Sequence, residues 1–250
     1  MSSPLTRVAV VLGLVLCACG GPAASDGAGG GTTGGEASPP APARLPDSVV
    51  PTRYALTLTV DPSQATFAGD ATIDVTLTEA TSRIWLHGQH LTVSSVTVES
   101  GGASVAGEWQ VSDEEEGTAS IVTATPIPAG DAHLHVVYTA PFDETLEGLY
   151  RVDVGEDHYA FTQFEALAAR KAFPCFDEPR FKTPFDVTLV SPEANGAFGN
   201  SIETEVSTDS AGLTTHRFAT TEALPTYLVA WAVGPLDVVV GEIPPNAVRT

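Results

Sequence analysis

From residue 45 onward the chain alternates apolar and polar residues with a period of two. Residues 54–61 read YALTLTVD, 71–78 read ATIDVTLT and 84–87 read IWLH, a spacing that puts every second side chain on one face of an extended strand. The alternation recurs at 91–99, 118–123, 133–139, 148–154, 158–163, 185–191, 202–207, 213–219 and 227–233, with β-branched residues throughout. Turn formers separate the runs, at Asp61-Pro62-Ser63, Ala68-Gly69-Asp70, Ser100-Gly101-Gly102, Pro128-Ala129-Gly130, Asn195-Gly196 and Ser210-Ala211-Gly212. No long run has the 3.6-residue period of an amphipathic helix. About a dozen short strands without such helices predict an all-β fold, an antiparallel β-sandwich or stacked sheets. The one helical turn expected is at 164–171.

The first 44 residues do not follow this pattern. Residues 1–18 carry one basic side chain, Arg7, and then the apolar run 8–16, too short to span a bilayer and suited to the core of an export signal. Residues 16–19, Leu-Cys-Ala-Cys, resemble a bacterial lipobox, with a Leu three positions before Cys19 and a small residue just before it. Cys19 is therefore the expected lipidation site, and the chain is expected in the cell envelope, periplasmic or at the cell surface. Residues 19–44 are Gly, Ala, Pro, Ser and Thr with almost no large apolar residue, the composition of a flexible spacer. The folded region is expected over 45–250. With Cys19 acylated, Cys175 has no thiol partner and is expected to be buried and unpaired.

Charge narrows the partners. The 250 residues carry 31 acidic and 11 basic side chains, a formal net charge of −20. Such a surface repels a phosphate backbone, so nucleic acid is not expected as a partner. The acidic run Asp113 to Glu116, between two strand patterns, reads as a solvated hairpin tip. His133 and His135 share a strand face, a geometry open to a metal, and His87 and His90 lie close in sequence, but neither pair has a third ligand nearby, and no His-Glu-x-x-His motif is present. No metal site is therefore expected in these residues.

The stretch 161–185, FTQFEALAARKAFPCFDEPRFKTPF, is dense in charge and aromatics. Glu165 follows a strand and opens a turn, so its carboxylate either projects as a binding group or pairs internally with Arg170 or Lys171. Pro174, Pro179 and Pro184 prevent a continuing helix and predict a rigid extended connection packed by Phe173, Phe176, Phe181 and Phe185. Asp177, Glu178, Arg180 and Lys182 read as a structural charge network.

The sequences TQFE at 162–165, ARKAFPCFDEP at 169–179 and Phe181-Lys182 resemble the signature of the N-terminal domain of zinc aminopeptidases related to aminopeptidase N. PTRY at 51–54, EGLYR at 147–151 and LPTYLVAWAVG at 224–234 extend the resemblance over about residues 45 to 240. The resemblance implies a saddle-like β-domain that roofs an active site whose zinc lies in a following, mostly helical domain. It also implies that Glu165 receives the free ammonium of a peptide N-terminus and that Gln163 lines the pocket for the first side chain. The family's Gly-x-Met-Glu-Asn loop and its zinc helix do not occur in the 250 residues. The expectation is thus a substrate-anchoring domain without a catalytic residue or cofactor of its own, partnered by a zinc-binding catalytic domain in cis or in trans. The alternative is a stand-alone, lipid-anchored β-sandwich that binds peptides or proteins.

Overall fold

The computed structural model describes residues 40–239 and 241. The expected export signal, Cys19 and most of the expected spacer lie outside the described residues, as does the C-terminal end of the expected folded region. The strands are β1 (Val49–Thr59), β2 (Thr66–Leu77), β3 (Thr81–His87), β4 (Thr92–Ser100), β5 (Ala103–Asp113), β6 (Thr118–Ile127), β7 (Gly130–Pro141), β8 (Gly148–Val154), β9 (Asp157–Gln163), β10 (Phe185–Pro192), β11 (Gly196–Gly199), β12 (Glu203–Thr208), β13 (Leu213–Phe218) and β14 (Trp231–Gly234). A ten-stranded sheet has the order β12-β13-β10-β1-β2-β7-β4-β5-β6-β3, and a four-stranded sheet has the order β11-β14-β9-β8. The all-β reading holds.

The period-two pattern becomes burial. Tyr54, Leu56 and Leu58 of β1 face inward, as do Ala71, Ile73, Val75 and Leu77 of β2 and Leu134, Val136 and Tyr138 of β7. Register aligns these faces, with Leu56 opposite Ala71 and Ile73 opposite Leu134, so one apolar surface runs across the strands. An aromatic cluster joins strands of the two sheets. Tyr54 stacks on Phe185 with ring centroids 4.7 Å apart, and Phe173 lies 6.2 Å from Tyr54 and 6.1 Å from Trp231. Fully burying side chains of this size contributes on the order of 1.5–3 kcal/mol each.

Several local expectations are corrected. The turn expected at 68–70 lies inside β2. Gly69 is there for clearance, because a Cβ on it would fall 2.2 Å from the Tyr138 ring. A strand absent from the alternation, β5, fills the gap before 118, and most of its residues are only partly buried, so its sequence has no clean apolar face. Its first four residues pair with β4 and its later ones with β6, so it joins the two stretches of the sheet. The strand expected at 227–233 is broken. Thr226–Leu228 is a 3-10 turn, and only Trp231–Gly234 is extended. Nearly all ladders are antiparallel, but β1 and β10 run parallel from Tyr54 opposite Phe185 to Thr59 opposite Val190.

Candidate functional site

The 161–185 stretch starts at the end of β9, where Gln163 pairs with Gly148 of β8. Phe164 is buried and packs edge-on against Phe173 and Trp231 at 5.8 and 5.4 Å. Its two neighbours, Gln163 and Glu165, therefore point away from the core and are exposed. Residues 165–168 form a tight turn closed by the Ala168 N–H donating to the Phe164 carbonyl at 2.9 Å, and Ala169–Lys171 continue as a 3-10 turn. The helical reading of 164–171 thus reduces to consecutive turns.

Arg170 and Lys171, the two cations nearest Glu165 in sequence, are both engaged elsewhere. Arg170 is buried, and its Nε donates to Asp177 Oδ2 at 2.9 Å while its Nη2 donates to the Asp177 carbonyl at 3.1 Å. Its Nη1 donates to the Glu116 carbonyl at the hairpin tip. Lys171 Nζ donates to Asp143 Oδ2 at 2.9 Å and to Glu147 Oε2 at 3.0 Å. Glu165 has no ion pair among the described residues, and of the two readings left open by its spacing, internal pairing is not what the fold adopts.

Glu165 lines a cleft of about 400 Å³ with Gln89, Glu115, Glu116, Glu147, Leu167, Arg170 and Lys171. Gln163 does not line it, so the structure brings only one of the two expected site residues to this cleft. The acidic tip of the β5–β6 hairpin is exposed, as expected, but it is also a wall of the cleft. Gln89 ties it down by donating from Nε2 to the carbonyls of Glu114 and Glu115 at 3.1 and 2.9 Å. Sequence spacing contained no signal for this, because Gln89 and the tip are 25 and 26 residues apart.

A larger cavity of about 640 Å³ shares Glu116, Leu167 and Arg170 with this cleft and is also lined by His87, Asp177, Glu178 and Arg180. Its charges are largely spent on each other. Thr226 donates to Asp177 Oδ1 at 2.5 Å, Arg180 donates to Glu178 Oε2 at 2.6 Å, and the Asp177 N–H donates to His87 Nδ1 at 3.1 Å. Burial, with the Arg170 charge beside it, pushes the His87 pKa down to about 3, so this imidazole is neutral at pH 7. Around Lys171, burial alone would lower the ammonium and raise the Asp143 carboxyl. The hydrogen bonds from Thr145 and Lys171 instead hold Asp143 below its ordinary value, and Asp143 and Glu147 hold Lys171 above its own. Cys175 is buried and free, and burial raises its thiol well above the usual range, which makes it inert.

The two histidine pairs considered as metal ligands do not converge. His133 and His135 each bond a carboxylate of β2, Asp74 at 2.6 Å and Asp70 at 2.9 Å, while His87 is buried and His90 faces Glu114. Among the described residues no three His, Cys, Asp or Glu side chains are grouped to hold a metal, so these residues do not fit a zinc ion.

An exposed, unpaired carboxylate at a strand end, beside a cleft rich in further carboxylates, is suited to receiving a cation. The motif that carries it is shared. The Peptidase M1 N-terminal domain model matches residues 50–228. The chain is 36% identical over 202 residues to the puromycin-sensitive aminopeptidase of Caenorhabditis elegans, covering 78% of this chain and 21% of the relative. It is 32% identical over 203 residues to endoplasmic reticulum aminopeptidase 1 of Homo sapiens, covering 78% and 22%. It is also 33% identical over 204 residues to aminopeptidase M1-D of Oryza sativa subsp. japonica, covering 80% and 23%. The chain thus spans about a fifth of the length of the curated relatives it matches. With the matched region running from β1 to the turn before β14, the chain belongs to the Peptidase M1 N-terminal domain family.

Proposed function

We propose that this chain is the substrate-anchoring domain of an exported zinc aminopeptidase, and that Glu165 receives the α-ammonium of a peptide N-terminus. The observation that carries this reading is the unpaired Glu165 carboxylate, exposed on a turn whose two cations are held by other acids. A free N-terminus differs from every internal peptide bond by its charge, so a carboxylate at this place selects chain ends. Gln163, two residues earlier and outside the cleft, is assigned to the side of the first side chain. Hydrolysis is assigned to a zinc-binding domain acting with this one, in cis or in trans, and anchoring in the envelope to acylation of Cys19.

The test is titration of the full chain with leucine amide and with N-acetyl-leucine amide, followed by backbone NMR. The free amine is expected to shift signals around residues 163–171, the acetylated compound to leave them in place. Glu165→Gln is expected to weaken amine binding by roughly one to two orders of magnitude, the usual value of a charge-assisted hydrogen bond. Equal affinity of wild type and Glu165→Gln would overturn the assignment. Binding of longer peptides irrespective of a free amine would favour a stand-alone peptide-binding module instead. For export, Cys19→Ser is expected to move the chain from the membrane to the soluble fraction and abolish palmitate labelling, and an unchanged distribution would remove the lipid anchor from the proposal.

A further inference from the structure

Lys171 lines the same cleft as Glu165 and sits on the same run of turns, six residues further on. A lysine ammonium is a compact charge on a flexible stem with three rotatable donors, and it resembles the group that the cleft is proposed to bind. Left unrestrained, it is an intramolecular competitor for the cleft's carboxylates. Two acids from a different part of the chain hold it. Asp143 follows β7 and Glu147 precedes β8, and both accept from Nζ within 3.0 Å. The backbone makes room for this arrangement. Gly148 has φ of +63°, and a Cβ there would fall 2.9 Å from the Lys171 Cβ.

We infer that Asp143 and Glu147 are positioning residues of the amine site: they sequester Lys171 and so leave Glu165 free for the ligand. The inference rests on the amine-anchoring reading above and adds to it the device that keeps the anchor unoccupied. Asp143 suits a clean test. Its Oδ1 accepts from the Thr145 N–H and hydroxyl at 2.7 and 2.5 Å, while Oδ2 serves Lys171. Asparagine keeps an oxygen for the Thr145 bonds and removes the charge that restrains the lysine.

The experiment compares leucine amide affinity, by the same NMR titration of the full chain, across wild type, Glu165→Gln and three further variants. Asp143→Asn with Glu147→Gln is expected to bind the amine up to about fivefold more weakly, the range of a partly exposed ion pair. Adding Lys171→Gln to that double variant is expected to restore wild-type affinity, which a merely structural role of the acids would not produce. Lys171→Gln alone is expected to bind no more weakly than wild type. Failure of the third substitution to rescue, undiminished affinity in the double variant, or weaker binding by Lys171→Gln alone would each overturn the inference. If Glu165→Gln binds as wild type, the amine-anchoring reading itself falls. If Glu165→Gln fails to bind while the double variant binds normally, only the sequestering role falls. Should the double variant not fold, Glu147→Gln alone, at a side chain 57% exposed, gives the same comparison with a smaller loss that Lys171→Gln must still reverse.

Discussion

Two consecutive parts of one motif meet opposite fates. Around Arg170 and Asp177 the polar groups are buried and satisfied: the guanidinium serves Asp177 twice and a hairpin carbonyl once, and Thr226 takes the remaining carboxylate oxygen. Around Gln163 and Glu165, seven and five residues before Arg170, the side chains are exposed and the carboxylate pairs with no cation among the described residues. The difference separates scaffold from site. A buried charge that loses its partner costs the fold, whereas an exposed one without a partner costs almost nothing and stays available to a ligand.

The largest break in this contrast is expected from Arg170→Ala. It strands Asp177, only 1% exposed, as an uncompensated buried carboxylate, which costs roughly 3–5 kcal/mol. Urea denaturation should show a loss of unfolding free energy of that size, and a loss below about 1 kcal/mol would mean that Asp177 finds water or another donor. A smaller effect is expected from acid. His87 is held neutral in the fold, with a pKa of about 3 against an ordinary value near 6.5. A depressed folded pKa means that its contribution is complete above about pH 6.5 and declines as pH falls toward 3, because the unfolded chain takes up the proton first. Between pH 7 and pH 5 this linkage removes up to about 2 kcal/mol of stability. His87→Gln, compared with wild type by denaturation at both pH values, should flatten that slope, and an unchanged slope would assign it to other groups. At the bottom of the scale, Glu165→Gln should change stability by less than about 0.5 kcal/mol, despite its expected effect on amine binding. A large destabilisation there would sharpen the boundary by moving Glu165 into the scaffold.

Much of this was legible in the chain. The alternation at 54–61, 71–78 and 133–139 maps onto β1, β2 and β7, since a half-buried strand must place its apolar residues two apart. Phe173, Phe176 and Phe185 are fully buried, as their spacing among prolines implied. What misled was local. The Ala68-Gly69-Asp70 turn signal came from a glycine needed under the Tyr138 ring, and the apolar run at 227–233 conceals a 3-10 turn whose Thr226 hydroxyl bonds Asp177. β5 escaped because neither of its faces is cleanly apolar. For Gly69 and Thr226 the deciding contact comes from a residue far away in sequence.

By itself the sequence determined most of the strands, their inward faces, the irregular connection after Lys171 and the motif that places the chain in its family, because these depend on the period of side chains and on the geometry of proline and the peptide chain. It could not determine which acid each cation would take. Arg170 and Lys171 are near Glu165 along the chain, yet Lys171 reaches Asp143, 28 residues away, and Arg170 spans from Asp177 to Glu116, 54 residues away. Ion pairing follows distance in space and the burial of each partner, and only the folding of β5, β6, β7 and β8 around this turn brings those acids close enough to leave Glu165 unpaired.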